Sequence, residues 1–254
     1  MTVAACAALV ERGDPDRFIA TLAAPVQSRA HLFPLYAFNL EVARAPWVTA
    51  EPMIAEMRLQ WWRDVVAAPA ARAHEVAGPL HALIETAALP VQVFDRLIEA
   101  RRWDIYRDPP ADDRALDGYI DDTAGGLMWL AALALRAPPE AEPAVRAYSF
   151  ATGLAAYLRA VPELEARGRT PLCDGRPEAV SQLALRGLIR LTAARRAGST
   201  IPRAVRAALL PGWQAEALLK QAARDPAAVA EGRLYVSEFA KRGKLLWQAS
   251  TGLF

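Results

Sequence analysis

Three aspartates, Asp113, Asp117 and Asp121, recur at i, i+4 and i+8, and Asp122 adjoins them. On a helix that spacing places them along one face. A face of hard oxygen donors is a candidate Mg²⁺ site, the metal alternative for this chain. The competing reading is a solvated acidic face near a helix N-terminus, where acids gain from the macrodipole, like charges four apart repel mildly and Arg114 can screen them. Neither His31, His74 nor His81 stands near Cys6 or Cys173 or forms a helical ligand pair, so the spacing offers no zinc site. Two cysteines make no disulfide framework.

Other clusters are apolar or basic. Met53, Met57, Trp61 and Val65 recur every four residues and predict a core face. The sharper alternative is a tryptophan-lined lipid cavity with Arg58 and Arg63 near an anionic head group. Phe94, Ile98 and Ile105 predict a second core stripe, and Arg101, Asp104 and Asp108 are free to pair with one another or with that pocket. All three lysines fall late, at Lys220, Lys241 and Lys244, and Lys241-Arg242-Gly243-Lys244 runs into Leu245-Leu246-Trp247. A basic amphipathic helix of this kind can lie on an anionic membrane or dock in a partner's groove. The competing reading closes the core with Leu234, Val236, Phe239, Leu245, Leu246 and Trp247.

The elements that must position these residues read as helices. The chain has 254 residues, 54% hydrophobic and 23% charged, enough to bury a core. A formal net charge of +2 gives no whole-protein electrostatic case for nucleic acid. Fifty-five alanines and 27 arginines favour helix, and alternation with period two is nearly absent. Asp14-Pro15 is a capped helix start, and Pro52, Pro90 and Pro177 can serve likewise. Helices are predicted over 3–12, 15–24, 26–44, 52–67, 79–88, 91–106, 114–135, 142–160, 178–197, 202–222 and 227–248. Short polar connections make 1–254 one all-α domain. The longest uncharged stretch, Thr123–Leu135, is too short to span a bilayer and predicts a buried core helix. No basic region precedes Val3–Val10, so no secretory signal is expected. The expected location is cytoplasmic, extending to peripheral contact with the inner face of a membrane.

Five segments carry more than a generic helix requires: LYAFNLEVARAPW (35–47), EMRLQWWRDVV (56–66), DIYRDPP (104–110), YIDDTAGG (119–126) and AAYLRAVPELEARGRTPL (155–172). In order and spacing they resemble the squalene/phytoene synthase superfamily over about residues 14–172. LQWWRD resembles the branch containing a respiratory complex I assembly factor. The resemblance implies an isoprenoid-synthase-like helical bundle around a central apolar cavity. It also implies head-to-head joining of prenyl diphosphates on Mg²⁺ held by two opposed Asp motifs.

This chain departs from the pattern at both motifs. After LYAF the only carboxylate in 39–48 is Glu41, and Ala43 and Arg44 fall where the leading aspartates would be. The second motif's arginine matches Arg159, with Ala160 and Leu164 in place of aspartates and Pro162 expected to end or kink the helix. Tyr119 with Ala124-Gly125, and Arg167-Gly168-Arg169, keep the family's pattern. A pocket of Tyr36, Asn39, Glu41, Arg58, Trp62, Asp104, Tyr119, Arg159 and Arg169 is therefore implied. The plainer reading gives Tyr119 and Gly125-Gly126 packing roles only. The expectation is a catalytically silent, cofactor-free assembly factor whose partners are protein, complex I subunits by the resemblance, with an isoprenoid or lipid ligand in the old cavity. One alternative is an active prenyl diphosphate transferase using Mg²⁺ on Glu41, Glu163 or the Asp113–Asp121 stripe. Another is a lipid carrier without chemistry.

Overall fold

The computed structural model describes residues 2–254, and those residues are helical without a strand. The helices are α1 (Val3–Gly13), α2 (Pro15–Ala23), α3 (Val26–Arg44), α4 (Pro52–Ala67), α5 (Ala77–Ala87), α6 (Val91–Ala100) and α7 (Arg102–Tyr106). Then follow α8 (Asp113–Ile120), α9 (Gly126–Ala134), α10 (Glu142–Ala166), α11 (Pro177–Arg196), α12 (Ala215–Arg224), α13 (Ala227–Ala230) and α14 (Glu238–Thr251).

Starts are set by local chemistry. Asp14, Asp112 and Ser237 cap α2, α8 and α14 by accepting from Arg17, Ala115 and Ala240 N–H. Prolines open α2, α4 and α11, where no intrahelical N–H is needed. Helix α3 is buried all round from Leu32 to Asn39 and is a central helix. Helix α9 is the uncharged stretch, and it is buried as expected. α10 joins them, packing on α9, α11 and α12. Phe38 of α3 meets Trp62 and Phe94 edge-on, with centroids 5.4 and 5.3 Å away, which ties α4 and α6 to the centre.

Several elements differ from expectation. Helix α10 runs through Pro162 to Ala166, because packing on both sides outweighs one lost hydrogen bond. The predicted 91–106 helix breaks at Arg101, whose N–H bonds Ile98 O in a tighter turn. That break turns Asp104 inward and leaves Arg102 out. The 202–222 helix is a 3₁₀ run, Arg203–Gly212, followed by α12. The 227–248 helix stops at Ala230, and Gly232 takes a positive φ of 68° there. The 114–135 helix contains a π-turn at Asp121–Gly125. In α4 the buried face is Ala55, Leu59, Trp62, Val65 and Val66, whereas Met53 and Met57 are exposed. The bundle meets only one side of α4, and both methionines fall on the other. No helix among the described residues is long and apolar enough to cross a membrane.

Candidate functional site

The π-turn at Asp121–Gly125 sits beside a cavity of about 210 Å³ between α2, α3, α8–α9, α10 and the Arg203–Gly212 segment. A π-turn widens a helix by one residue, and such turns recur at functional sites. Gly153 lets α10 approach it: a Cβ there would lie 2.5 Å from Ala124 Cβ. The polar wall is Arg17, Tyr36, Asn39, Arg101, Tyr119, Thr123, Thr152 and Tyr157, and the apolar wall includes Ile120, Leu127, Met128 and Ala208. No described carboxylate lines it.

Behind that wall lies a buried charge cluster. Tyr119 Oη donates to Asp104 Oδ2 at 2.8 Å. Arg101 Nη1 donates to Tyr119 Oη at 2.7 Å and reaches Asp104 Oδ2 at 3.3 Å. Arg169 Nη1 donates to the other Asp104 oxygen. Asp104 and Arg169 are fully enclosed, while 17% of the Arg101 side chain remains accessible. Trp103 covers Arg169 at 5.2 Å and meets Tyr119 edge-on. Burial works against the Arg101 charge, but Tyr119 and Asp104 outweigh it and raise its pKa. Burial pushes the Tyr119 and Tyr36 phenols up, so both are neutral donors at ordinary pH. The Tyr36 hydroxyl has no partner.

The structure thus brings Tyr36, Asn39 and Tyr119 to the cavity wall, with Asp104 and Arg169 one layer behind Arg101. It does not bring the other four there. Glu41 is half-buried and outside the cavity. Arg58 is exposed on α4, because the face it shares with Met57 points away from the bundle. Trp62 is core, stacked edge-on against Phe38 and His74. Arg159 lies in a smaller adjoining cleft, half-exposed, and pairs with Asp16 at 3.2 Å. Asp16 also accepts from Gln214 at 2.9 Å. Although burial raises its pKa, Gln214, Lys241 and Arg159 together bring it down.

The two stretches that match the family's metal motifs hold Glu41, Glu163 and Glu165 as their carboxylates. Asn39 offers a neutral amide, Arg44 and Arg159 are cations, and Glu163 is held by Arg167 at 2.5 Å. The Asp113–Asp121 stripe is paired with arginines of other helices. Asp113 pairs with Arg186 at 2.7 Å, Asp117 with Arg186 and Arg190 at 3.4 and 3.3 Å, and Asp121 with Arg146 at 3.1 Å. These pairs fasten α8 and the π-turn to α10 and α11. Among the described residues no group of three or more acid, His or Cys side chains is arranged for a metal.

Sequence reasoning missed Arg17, which follows a capping Asp-Pro and carries no motif of its own. It also missed Thr152, Gly153 and Ala156, a run of small residues whose helical spacing was the available signal.

The family model described as squalene/phytoene synthase matches residues 10–174. A "NADH dehydrogenase (ubiquinone) complex I, assembly factor 6 homolog" of Drosophila melanogaster is 42% identical over 62 residues, 24% of this chain and 19% of that protein. The Bos taurus "NADH dehydrogenase (ubiquinone) complex I, assembly factor 6" is 26% identical over 168 residues, 65% of this chain and 50% of that one. The chain therefore spans half the length of these relatives or less. A dehydrosqualene synthase crystal structure with ligand superposes with a TM-score of 0.82 at 14% identity, covering 98% of this chain and 95% of the other. Squalene synthase HpnC from Alicyclobacillus acidocaldarius gives 0.73 at 22% identity, covering 89% and 94%. At these identities the two structures share the fold, and with the family model matching well over half its residues, the chain belongs to the squalene/phytoene synthase family.

Proposed function

We propose that this protein is a non-catalytic member of its family that acts as an assembly or maturation factor, for respiratory complex I by its likeness to the insect and bovine relatives. It works as one helical scaffold for a protein partner, without a metal cofactor, and the cavity holds a lipid-like ligand. The carrying observation is the cavity wall, where two arginines, an amide and three phenols stand and no carboxylate does. Ionising an allylic diphosphate needs cationic metal at the leaving group, and metals of that kind need oxygen anions to hold them.

The protein works in the cytoplasm against the inner face of the membrane, which α14 touches. That helix leaves Phe239 and Leu246 exposed, with Trp247 under Lys244 at 4.4 Å.

The test is a deletion strain. Complex I content and activity should fall and return with the wild-type gene. Normal complex I in the deletion would refute the role. Purified protein with Mg²⁺ and farnesyl or geranylgeranyl diphosphate should release no pyrophosphate beside an active synthase control. Turnover would establish the prenyl transferase alternative.

A further inference from the structure

An open groove of about 620 Å³ lies apart from the central cavity, between the end of α11, the Arg203–Gly212 segment, α12 and α14. The two share no lining residue. Arg195, Arg206 and Lys244 line the groove with one carboxylate, Glu216. Both oxygens of that carboxylate are already taken, by Arg195 and by Lys220, each at 2.6 Å. Arg206 donates to the carbonyls of Ile201, Gly252 and Gly198, so its guanidinium is hydrogen-bonded but faces no anion.

Lys244 differs from the other two lysines. Lys220 pairs with Glu216, and Lys241 pairs with Asp16 and Glu238. Lys244 makes no ion pair among the described residues and stands 4.4 Å over the Trp247 ring. Partial burial first, and then Arg195 and Lys220, hold its pKa below the usual lysine value despite Glu216. Four cations thus meet one carboxylate. Even a carboxylate at Phe254, whose main-chain oxygen accepts from Arg195 at 2.6 Å, would leave two positive charges in excess.

The rim of the groove is hydrocarbon. Trp247 and Leu253 line it and are exposed, and Leu246 stands exposed beside Trp247 on α14. Positive charge within and apolar side chains at the mouth match an anionic lipid at a bilayer surface, head group inward and chains outward. An acidic peptide would meet the charge but leave the apolar rim in water. Lysine binds phosphate as a point charge, without the bidentate geometry an arginine needs. The groove's volume falls within the roughly 300–1,000 Å³ of small-molecule sites, which is room for a glycerophosphate head.

We propose that this groove binds the phosphate of a single anionic phospholipid through Lys244, with Arg195 beside it, while the lipid chains lie against Leu246, Trp247 and Leu253. The assignment rests on α14 meeting a membrane, and it replaces diffuse attraction with one located lipid.

The experiment is calorimetric titration of the full chain with dihexanoyl phosphatidylglycerol below its micelle concentration, where no charged surface is present. Dihexanoyl phosphatidylcholine, chainless glycerophosphoglycerol and a hexaglutamate peptide are the comparisons, and each should bind more weakly. Lys244→Gln should weaken the phosphatidylglycerol lipid about tenfold, as expected for a charged hydrogen-bonding partner. Arg242→Gln makes the same charge change at an exposed position outside the groove and should stay within about twofold. Lys244→Gln should also melt no lower than wild type, because it removes an unbalanced charge; a lower melting temperature would overturn the charge account. Equal weakening by the two variants, or equal binding of the choline lipid, would overturn the site. Glycerophosphoglycerol binding as tightly as the lipid would make a free phosphodiester the occupant, and tighter hexaglutamate would give the groove to an acidic protein; either overturns the lipid. Wild type that fails to float with phosphatidylglycerol vesicles would sink the membrane reading itself, whereas flotation without binding of the short-chain lipid would sink this assignment alone.

Discussion

Tyr119 and Asp104 are joined by a 2.8 Å hydrogen bond between α8 and α7, with the phenol as donor. The bond needs the helix break at Arg101, because a continuous 91–106 helix would keep the turn that carries Asp104 on its original heading. One irregular turn thus delivers both the carboxylate and the guanidinium to the same phenol. The cluster is structural and electrostatic at once, which makes its members separable by mutation.

Replacing Asp104 with Asn should be severe. It leaves Arg101 and Arg169 buried together with no anion, and breaking a buried pair in this way costs about 3–5 kcal/mol. Tyr119→Phe removes two hydrogen bonds, one given to Asp104 and one accepted from Arg101, and should cost about 1–3 kcal/mol. Urea unfolding of the two variants beside wild type checks the order. A milder effect for Asp104→Asn than for Tyr119→Phe would contradict the charge account.

The pH dependence should show Glu216. Hydrogen bonds from Arg195 and then Lys220 hold its pKa down to about 2 from 4.5, despite some burial. A depressed carboxylate pKa stabilises the fold above the unfolded value and loses that contribution as pH falls through the folded one. Glu216→Gln should be less stable than wild type at pH 7, by about 1 kcal/mol after solvent screening. The gap should close from about pH 4.5 downward. A gap that stays constant to pH 3 would show that Glu216 acts by packing instead.

Much of this was legible in the residues. The ranges 26–44 and 52–67 agree with α3 and α4 because Pro52 and the apolar periodicity fix them locally. The α4 face was not legible. Met57, Trp61 and Val65 share a helical stripe, yet the bundle selects Leu59 and Trp62, and nothing local to α4 determines which side meets Phe38. The partners of the acidic stripe were hidden for a similar reason. Its spacing was seen, but its partners Arg186, Arg190 and Arg146 lie on other helices at long sequence separation. Tyr119 was visible through its motif, whereas Arg17 was invisible because only tertiary packing brings α2 to the cavity.

Gly153→Ala should destabilise by about 1–3 kcal/mol through overpacking. The new methyl would meet Ala124 Cβ at 2.5 Å and Ile120 Cγ2 at 2.9 Å, across the π-turn. Ala124→Gly should relieve the first of these contacts, so the double variant should recover part of the loss. A thermal-melt double-mutant cycle reads the coupling directly. Strict additivity would mean that the two positions do not touch.

The last prediction concerns α14. The sequence left two uses for its apolar residues, and the structure divides them. Leu234 and Leu245 are buried, Val236 packs partly against the core, and Phe239, Leu246 and Trp247 face outward at 89%, 71% and 43% exposure. Side chains that exposed contribute little to folding, so Phe239→Ser with Leu246→Ser should leave the melting temperature within a few degrees of wild type. The same pair should matter to a lipid surface, where each inserted apolar side chain adds binding and Arg242 and Lys244 add attraction to anionic head groups. Flotation with phosphatidylserine vesicles should therefore recover wild type and lose the double variant, and raised salt should weaken what remains. Equal flotation of both proteins would place the membrane contact elsewhere or remove it, and would leave this face to a protein partner.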